Sequence, residues 1–237
     1  MNYLAIACCM LLITTYPIVS KAQAAGTTGG TQAKPGVTYV PPLRGAPSRR
    51  VGGSSRGTGQ ALPQVAAMVP DHVGLTTAEQ PVLYWFISKP TRVRVDITLI
   101  DENSIQPLLE LPVTRIEGPA IHALDLAKHG IRLEKGTEYQ WSVSLVPDAA
   151  ERSGDVISGG VIKRVDMPPA LRAALEQAGS AIDATQAYAR AGIWYDALQA
   201  ISRAIDKDPA NGDLRAQRAA LSEQAGLVDT ARFDRGE

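Results

Sequence analysis

Cysteine is nearly absent. The 237 residues hold two, Cys8 and Cys9, side by side in an apolar N-terminal run. If that run is removed, no thiol is left for a disulfide, a metal or a covalent mechanism. An excess of charge of either sign is absent too: Lys plus Arg and Asp plus Glu stand at 24 each. Nucleic-acid binders neutralise phosphates with a surplus of cations on one face, so no nucleic acid is expected as a partner. Histidine is scarce, at His72, His122 and His129. His122 and His129 flank Asp125 without ligand-type spacing, and no metal site is read there. Asp71-His72 would need Ser54 or Ser55 as nucleophile, yet those serines sit in a Gly-rich stretch that no elbow motif frames. No phosphate loop or dinucleotide fingerprint occurs, and nothing selects a pair of carboxylates for sugar hydrolysis. The charged loop with Asp148, Glu151, Arg152 and Asp155 lacks the fixed ligand period of a calcium site. No catalytic, cofactor-binding or metal-binding residue is assigned, and the reading leans away from an enzyme.

What is there begins with an address. Leu4–Val19 is an apolar core, and Ala22-Gln23-Ala24 follows it as a small-x-small cleavage pattern. Residues 1–24 read as a secretory signal peptide. An uncleaved anchor is the alternative, but the run falls short of the roughly 20 residues that span a bilayer, and Pro17 interrupts its end. No second membrane-length run exists, so no transmembrane anchor is expected after cleavage. From 25 to 61 the chain is rich in Gly, Pro, Ser and Thr, with Arg44, Arg49, Arg50 and Arg56 adding a basic tint. Such a stretch has too little apolar surface to offset about 1–2 kcal/mol of backbone entropy per ordered residue. It reads as a disordered tether.

Folded sequence starts at about residue 62, with Leu62–Pro70 read as a short edge strand. Thr76-Thr77-Ala78-Glu79 has capping-box spacing, but Pro81 follows at once. It reads as a turn delivering the chain into Val82–Ile87, a strand apolar on both faces. From 91 to 100, Val93, Val95, Ile97 and Leu99 alternate with Arg92, Arg94, Asp96 and Thr98, the period of a half-buried strand. Short strands follow near 108–113 and 121–126. Tyr139, Trp141, Val143 and Leu145 then share one face, and Gly159-Gly160 in the last strand marks a bulge or a close backbone approach. Short strands joined by polar turns predict antiparallel layers over 62–166. The fold class is an all-β, immunoglobulin- or fibronectin-like sandwich of about 100 residues, with Trp85 and Trp141 in its core.

At Pro168-Pro169 the period changes to that of helices, predicted to about residue 178 and then over 182–191, 194–206 and 212–224, with 227–237 a frayed tail. The helical region thus spans 167–226. Tyr188, Gly192, Trp194, Ala197, Ile201, Ala204 and Pro209 stand at the spacing of later positions in a tetratricopeptide repeat. One such unit, about 181–211, is expected; a single unit cannot build the concave groove that stacked repeats form.

Three sets of residues carry a family resemblance. They are Val69-Pro70 with Gly74 through Glu79, Pro81 and Tyr84-Trp85-Phe86; Gly136-Thr137, Tyr139 and Trp141; and Arg152-Ser153, Gly160, Ile162 and Arg164-Val165 followed by Gly192 through Leu198. Together they resemble exported bacterial proteins, common in cyanobacteria, known as domain of unknown function 928. The resemblance covers roughly 42–205 and implies a fold and a cell-envelope address, with no reaction attached. The expected function is an exported, non-catalytic interaction or assembly module, periplasmic or envelope-associated, whose partner is another envelope protein or a glycan. The alternative is a glycan-binding module or an enzyme acting on envelope glycan or polymer. The candidate interaction surface comprises Arg92, Arg94, Tyr188, Trp194 and Tyr195.

Overall fold

The computed structural model describes residues 36–42, 50–51 and 62–237. The signal peptide assigned to 1–24, with Cys8 and Cys9, lies outside the described residues, as do most of the tether and Ser54 and Ser55. No helix among the described residues is long and apolar enough to cross a membrane.

Eight strands form two sheets. In chain order they are β1 Val65–Ala67, β2 Gly74–Thr76, β3 Val82–Ile87, β4 Arg94–Asp101, β5 Leu109–Val113, β6 Ala120–Asp125, β7 Glu138–Val146 and β8 Val156–Arg164. One sheet has the order β1-β3-β6 and the other β2-β8-β7-β4-β5. The expected alternation holds in β4, whose Val95, Ile97 and Leu99 are buried, and in β7, whose Trp141 pairs across to Leu99. Pairing is antiparallel except at one edge, where Gly74, Leu75 and Thr76 run parallel to Ile162, Lys163 and Arg164. The purely antiparallel expectation is corrected there. Gly159-Gly160 is a close approach and not a bulge, because the β7–β8 register runs through it unbroken. A Cβ on Gly159 would stand 2.4 Å from the Trp141 carbonyl oxygen, and one on Gly160 would stand 2.9 Å from a Val69 methyl.

Five helices follow: α1 Pro169–Glu176, α2 Ala181–Arg190, α3 Trp194–Lys207, α4 Gly212–Gln224 and α5 Val228–Arg235. Ser180 caps α2 through the Asp183 N–H (3.1 Å), and Asn211 caps α4 through the Leu214 N–H (3.3 Å). Gly192 and Gly226, at φ +74° and +70°, turn the chain between α2 and α3 and between α4 and α5. The helices are no appendix to an all-β domain, so the fold is mixed α and β. Both faces of β3 are buried: Phe86 packs on Phe233 of α5 at 5.3 Å, while Trp85 points to the opposite face. One hydrophobic cluster runs through both sheets and into α2, α3 and α4.

Two further expectations are overturned. Residues 227–237 are not frayed, because α5 is held by a buried ion pair: Arg218 donates to both carboxylate oxygens of Asp234 (2.8 and 2.6 Å). Nor is the tether uniformly disordered. Val37 and Tyr39 are only 2% and 7% exposed, and they belong to the central cluster. A stretch poor in apolar residues can still order when its few apolar side chains alternate onto a prepared surface.

Candidate functional site

The surface that receives residues 36–42 is the most site-like feature of the molecule. Gly36, Thr38 and Pro41 are exposed, Val40 is 48% exposed, and Val37 and Tyr39 point inward, the two-residue period of extended chain. Two helices line the groove. Gln217 and Gln224 lie seven residues apart on α4 and therefore share a face, and Gln186 projects from α2. The Val37 N–H donates to Gln217 Oε1 (2.7 Å) and the Tyr39 N–H to Gln224 Oε1 (2.8 Å). Gln224 Nε2 donates back to the Val37 carbonyl (2.7 Å). Gln186 forms a two-way amide pair with Thr38, accepting from its N–H and donating to its carbonyl, both at 3.1 Å. The Val40 N–H donates to the Ala189 carbonyl at the end of α2 (3.0 Å). Four consecutive main-chain N–H groups are thus satisfied by α2 and α4.

Side chains fix the register. Tyr39 sits edge-on to the Trp194 indole at 5.1 Å and stacks on His72 at 5.8 Å, with its hydroxyl 3.1 Å from His72 Nε2. Burial, and secondarily the negative charge of Asp71, pushes the Tyr39 phenol well above its ordinary range, so it stays neutral. Val40 and Pro42 cross Gly192, where a Cβ would come within 3.1 Å of the Val40 carbonyl. Farther on, Arg50 Nη1 donates to the Ala225 carbonyl (2.6 Å) at the C-terminal end of α4, and Val51 exchanges two backbone hydrogen bonds with Gly159 of β8. Gln186 also borders an open cleft of about 410 Å³ between α1 and α2, lined by Leu171, Ala174 and Ala187.

The expected interaction residues scatter. Arg92 and Arg94 are exposed, and Arg94 is held to Asp96 at 2.5 Å. Tyr188 is half-buried on α2. Trp194 and Tyr195 are both 0% exposed, Trp194 with Tyr39 packed against it, so neither offers free surface. They anchor α3 to the sheets instead. Trp194 Nε1 donates to the Met68 carbonyl, and Tyr195 accepts from Trp141 Nε1, each at 2.9 Å. No described Phe, Tyr or Trp is exposed, and Trp85 and Trp141 are core residues at 2% exposure. The loop of Asp148, Glu151, Arg152 and Asp155 is occupied with itself: Glu151 accepts from Ser153, and Arg152 pairs with Asp155 and Asp96. Among the described residues no group of three or more His, Cys, Asp or Glu is placed to hold a metal.

The residues missed were Gln186, Gln217, Gln224 and the segment they hold. Val37-Thr38-Tyr39-Val40, a β-branched and aromatic run inside a Gly/Pro-rich stretch, was the signal available for it.

The family model described as Domain of Unknown Function (DUF928) matches residues 51–233. No curated protein matches the chain. Among solved structures, a multi-domain immunophilin from Arabidopsis thaliana is similar over 67% of this chain and 96% of its own. Its identity is 12% and its TM-score 0.19, a likeness that carries no structural argument.

Proposed function

The chain belongs to the DUF928 family, and we propose that it is an exported, non-catalytic interaction or assembly module of the bacterial cell envelope. The observation that carries this reading is the groove: α2 and α4 grip an extended chain by its main-chain groups, which is how one protein holds a segment of another. Export rests on Leu4–Val19 and Ala22-Gln23-Ala24, the signal pattern in the sequence.

The finer fold reading belongs to the same proposal. The orders β1-β3-β6 and β8-β7-β4-β5 support an immunoglobulin-like reading of the two sheets, with β2 added at the edge beyond β8. Tyr139 near the start of β7 accepts from the Glu134 N–H five residues upstream (3.0 Å), the contact of a tyrosine corner. Two helical hairpins in succession, α2–α3 and α4–α5, support a tetratricopeptide-like reading of 181–211 and supply the second unit that a groove requires. Neither likeness names a function; the groove does.

The test is capture from the native envelope with the full exported chain as bait, run in parallel on envelope proteins and on purified envelope glycan. A discrete protein retained saturably is the expected result. Retention on glycan with no protein captured would sink the proposal.

A further inference from the structure

We infer that the α2/α4 groove accepts in trans an extended peptide with an aliphatic residue two positions before a tyrosine, and that residues 36–42 are its resident competitor in cis. The inference rests on the proposed interaction role and specifies its site and ligand.

The hydrogen bonds on the segment decide what the groove can recognise. Gln186, Gln217, Gln224 and the Ala189 carbonyl bind only main-chain atoms of residues 37–40. Any polypeptide of the same extended pitch meets them equally, since the pitch is a property of the backbone. Selection is left to two inward positions. The first buries Val37, 2% exposed; the second buries Tyr39 between Trp194 and His72. A phenylalanine there would leave His72 Nε2 without the hydroxyl it meets at 3.1 Å. A carboxylate there would face both burial and the charge of Asp71, the two influences already acting on the Tyr39 phenol. Thr38 and Val40 face outward and impose little.

Cis occupancy follows from the same contacts. A tethered segment competes at an effective concentration on the order of millimolar, so a free peptide of equal intrinsic affinity is held off until the segment is weakened or a partner binds better. The apparent affinity of a trans ligand is reduced by the fraction of grooves that stand open.

The probe is a fluorescent peptide with the sequence of residues 35–42. It is titrated into the full chain, into full chain carrying Val37→Asn and Tyr39→Ser, and into that variant with Gln186→Ala and Gln224→Ala added. The opened variant is expected to bind at least about tenfold tighter than the unaltered chain, the factor that applies when fewer than about one groove in ten is open. The two glutamine substitutions are expected to abolish that gain. No uptake by an opened variant that still melts cooperatively would overturn the inference. Should the opened variant fail to fold, amide hydrogen exchange at residues 37–40 of the unaltered chain decides. Exchange accelerated by excess unlabelled peptide supports displacement, and unchanged exchange overturns it. A complex of two chains that takes up no peptide would reassign the groove to segment exchange between copies and overturn the partner reading. The two levels also fail separately. Peptide uptake with no protein captured from the envelope removes the function and leaves the groove; capture undiminished by Gln186→Ala and Gln224→Ala does the reverse.

Discussion

Arg218 and Asp234 show how single residues set the boundaries of this fold. The Asp234 side chain is 0% exposed and the Arg218 side chain 8%, and Arg218 also donates to Ser202 on α3 at 3.2 Å. One guanidinium therefore joins three helices. Asp234→Ala leaves a buried cation unpaired, and a loss of about 3–5 kcal/mol is expected in urea unfolding. Replacing both partners with apolar residues of similar volume should cost far less, because no uncompensated charge remains; an equal loss would refute that account. His122 carries a smaller, pH-dependent liability. It stacks on Trp85 at 4.4 Å, its Nε2 is buried without a protein partner, and burial lowers its pKa from the ordinary 6.5. The unfolded chain then binds that proton more readily than the folded one. The stability linked to this residue is complete above about pH 6.5 and is lost as pH falls through the lowered folded value. His122→Phe keeps the stack and removes the titration, so the fall in urea midpoint between about pH 7.5 and about pH 5 should shrink. An unchanged fall would assign that pH dependence elsewhere.

At the scale of elements, α3 is the piece that makes sheets and helices one body. Tyr195 accepts from Trp141 Nε1 and donates toward the Val161 carbonyl at 3.3 Å, while Gly74 leaves room for its ring, since a Cβ there would lie 2.5 Å from Tyr195 Cε2. Tyr195→Phe orphans a buried indole N–H, and the expected cost is about 1–3 kcal/mol in thermal or urea unfolding; a midpoint equal to that of the parent would show the bond to be dispensable. Elements with a strong period of their own were legible in the sequence. Val95, Ile97 and Leu99 fixed the inward face of β4, and the apolar stripe of α3 announced its length within a residue. Elements that exist only through their neighbours were not. β2 has three residues, too few to express a period, and it depends on β8 for pairing. α5 buries Thr230 and Asp234, polar residues that conceal its inner face until Arg218 is in place. The segment at 36–42 showed no more than its short Val37–Val40 run for the same reason: three glutamines on distant helices satisfy its backbone, and glutamine on a helix surface ordinarily reads as solvated. Trp194 and Tyr195 misled in the opposite sense, since their polar atoms suit an interface and here bond within the core.

For the whole molecule, the decisive quantity is how much surface the two sheets and the helices share. Leu83, Trp85, Trp141, Trp194, Leu198 and Leu221 belong to a single buried cluster, the first three supplied by strands and the rest by helices. Arg50 and Val51 add a link outside that core, one bonding the end of α4 and the other the edge of β8. Units that could separate would each need their own apolar core, and Trp194, Tyr195 and Leu198 of α3 bury their side chains in the core they share with the sheets. The chain from residue 62 onward should therefore unfold in one cooperative transition. Two signals report on different parts of it. Far-ultraviolet circular dichroism is dominated by the helices, whereas two of the three tryptophans, Trp85 and Trp141, lie in the strands. Urea curves followed by both signals are expected to coincide for the full chain, and to shift together in Tyr195→Phe, because the bond lost joins the two parts. Helical signal lost ahead of tryptophan fluorescence would mean that the helices detach while the sheets persist, and the groove would then be a property of a separable arm and not of a rigid platform.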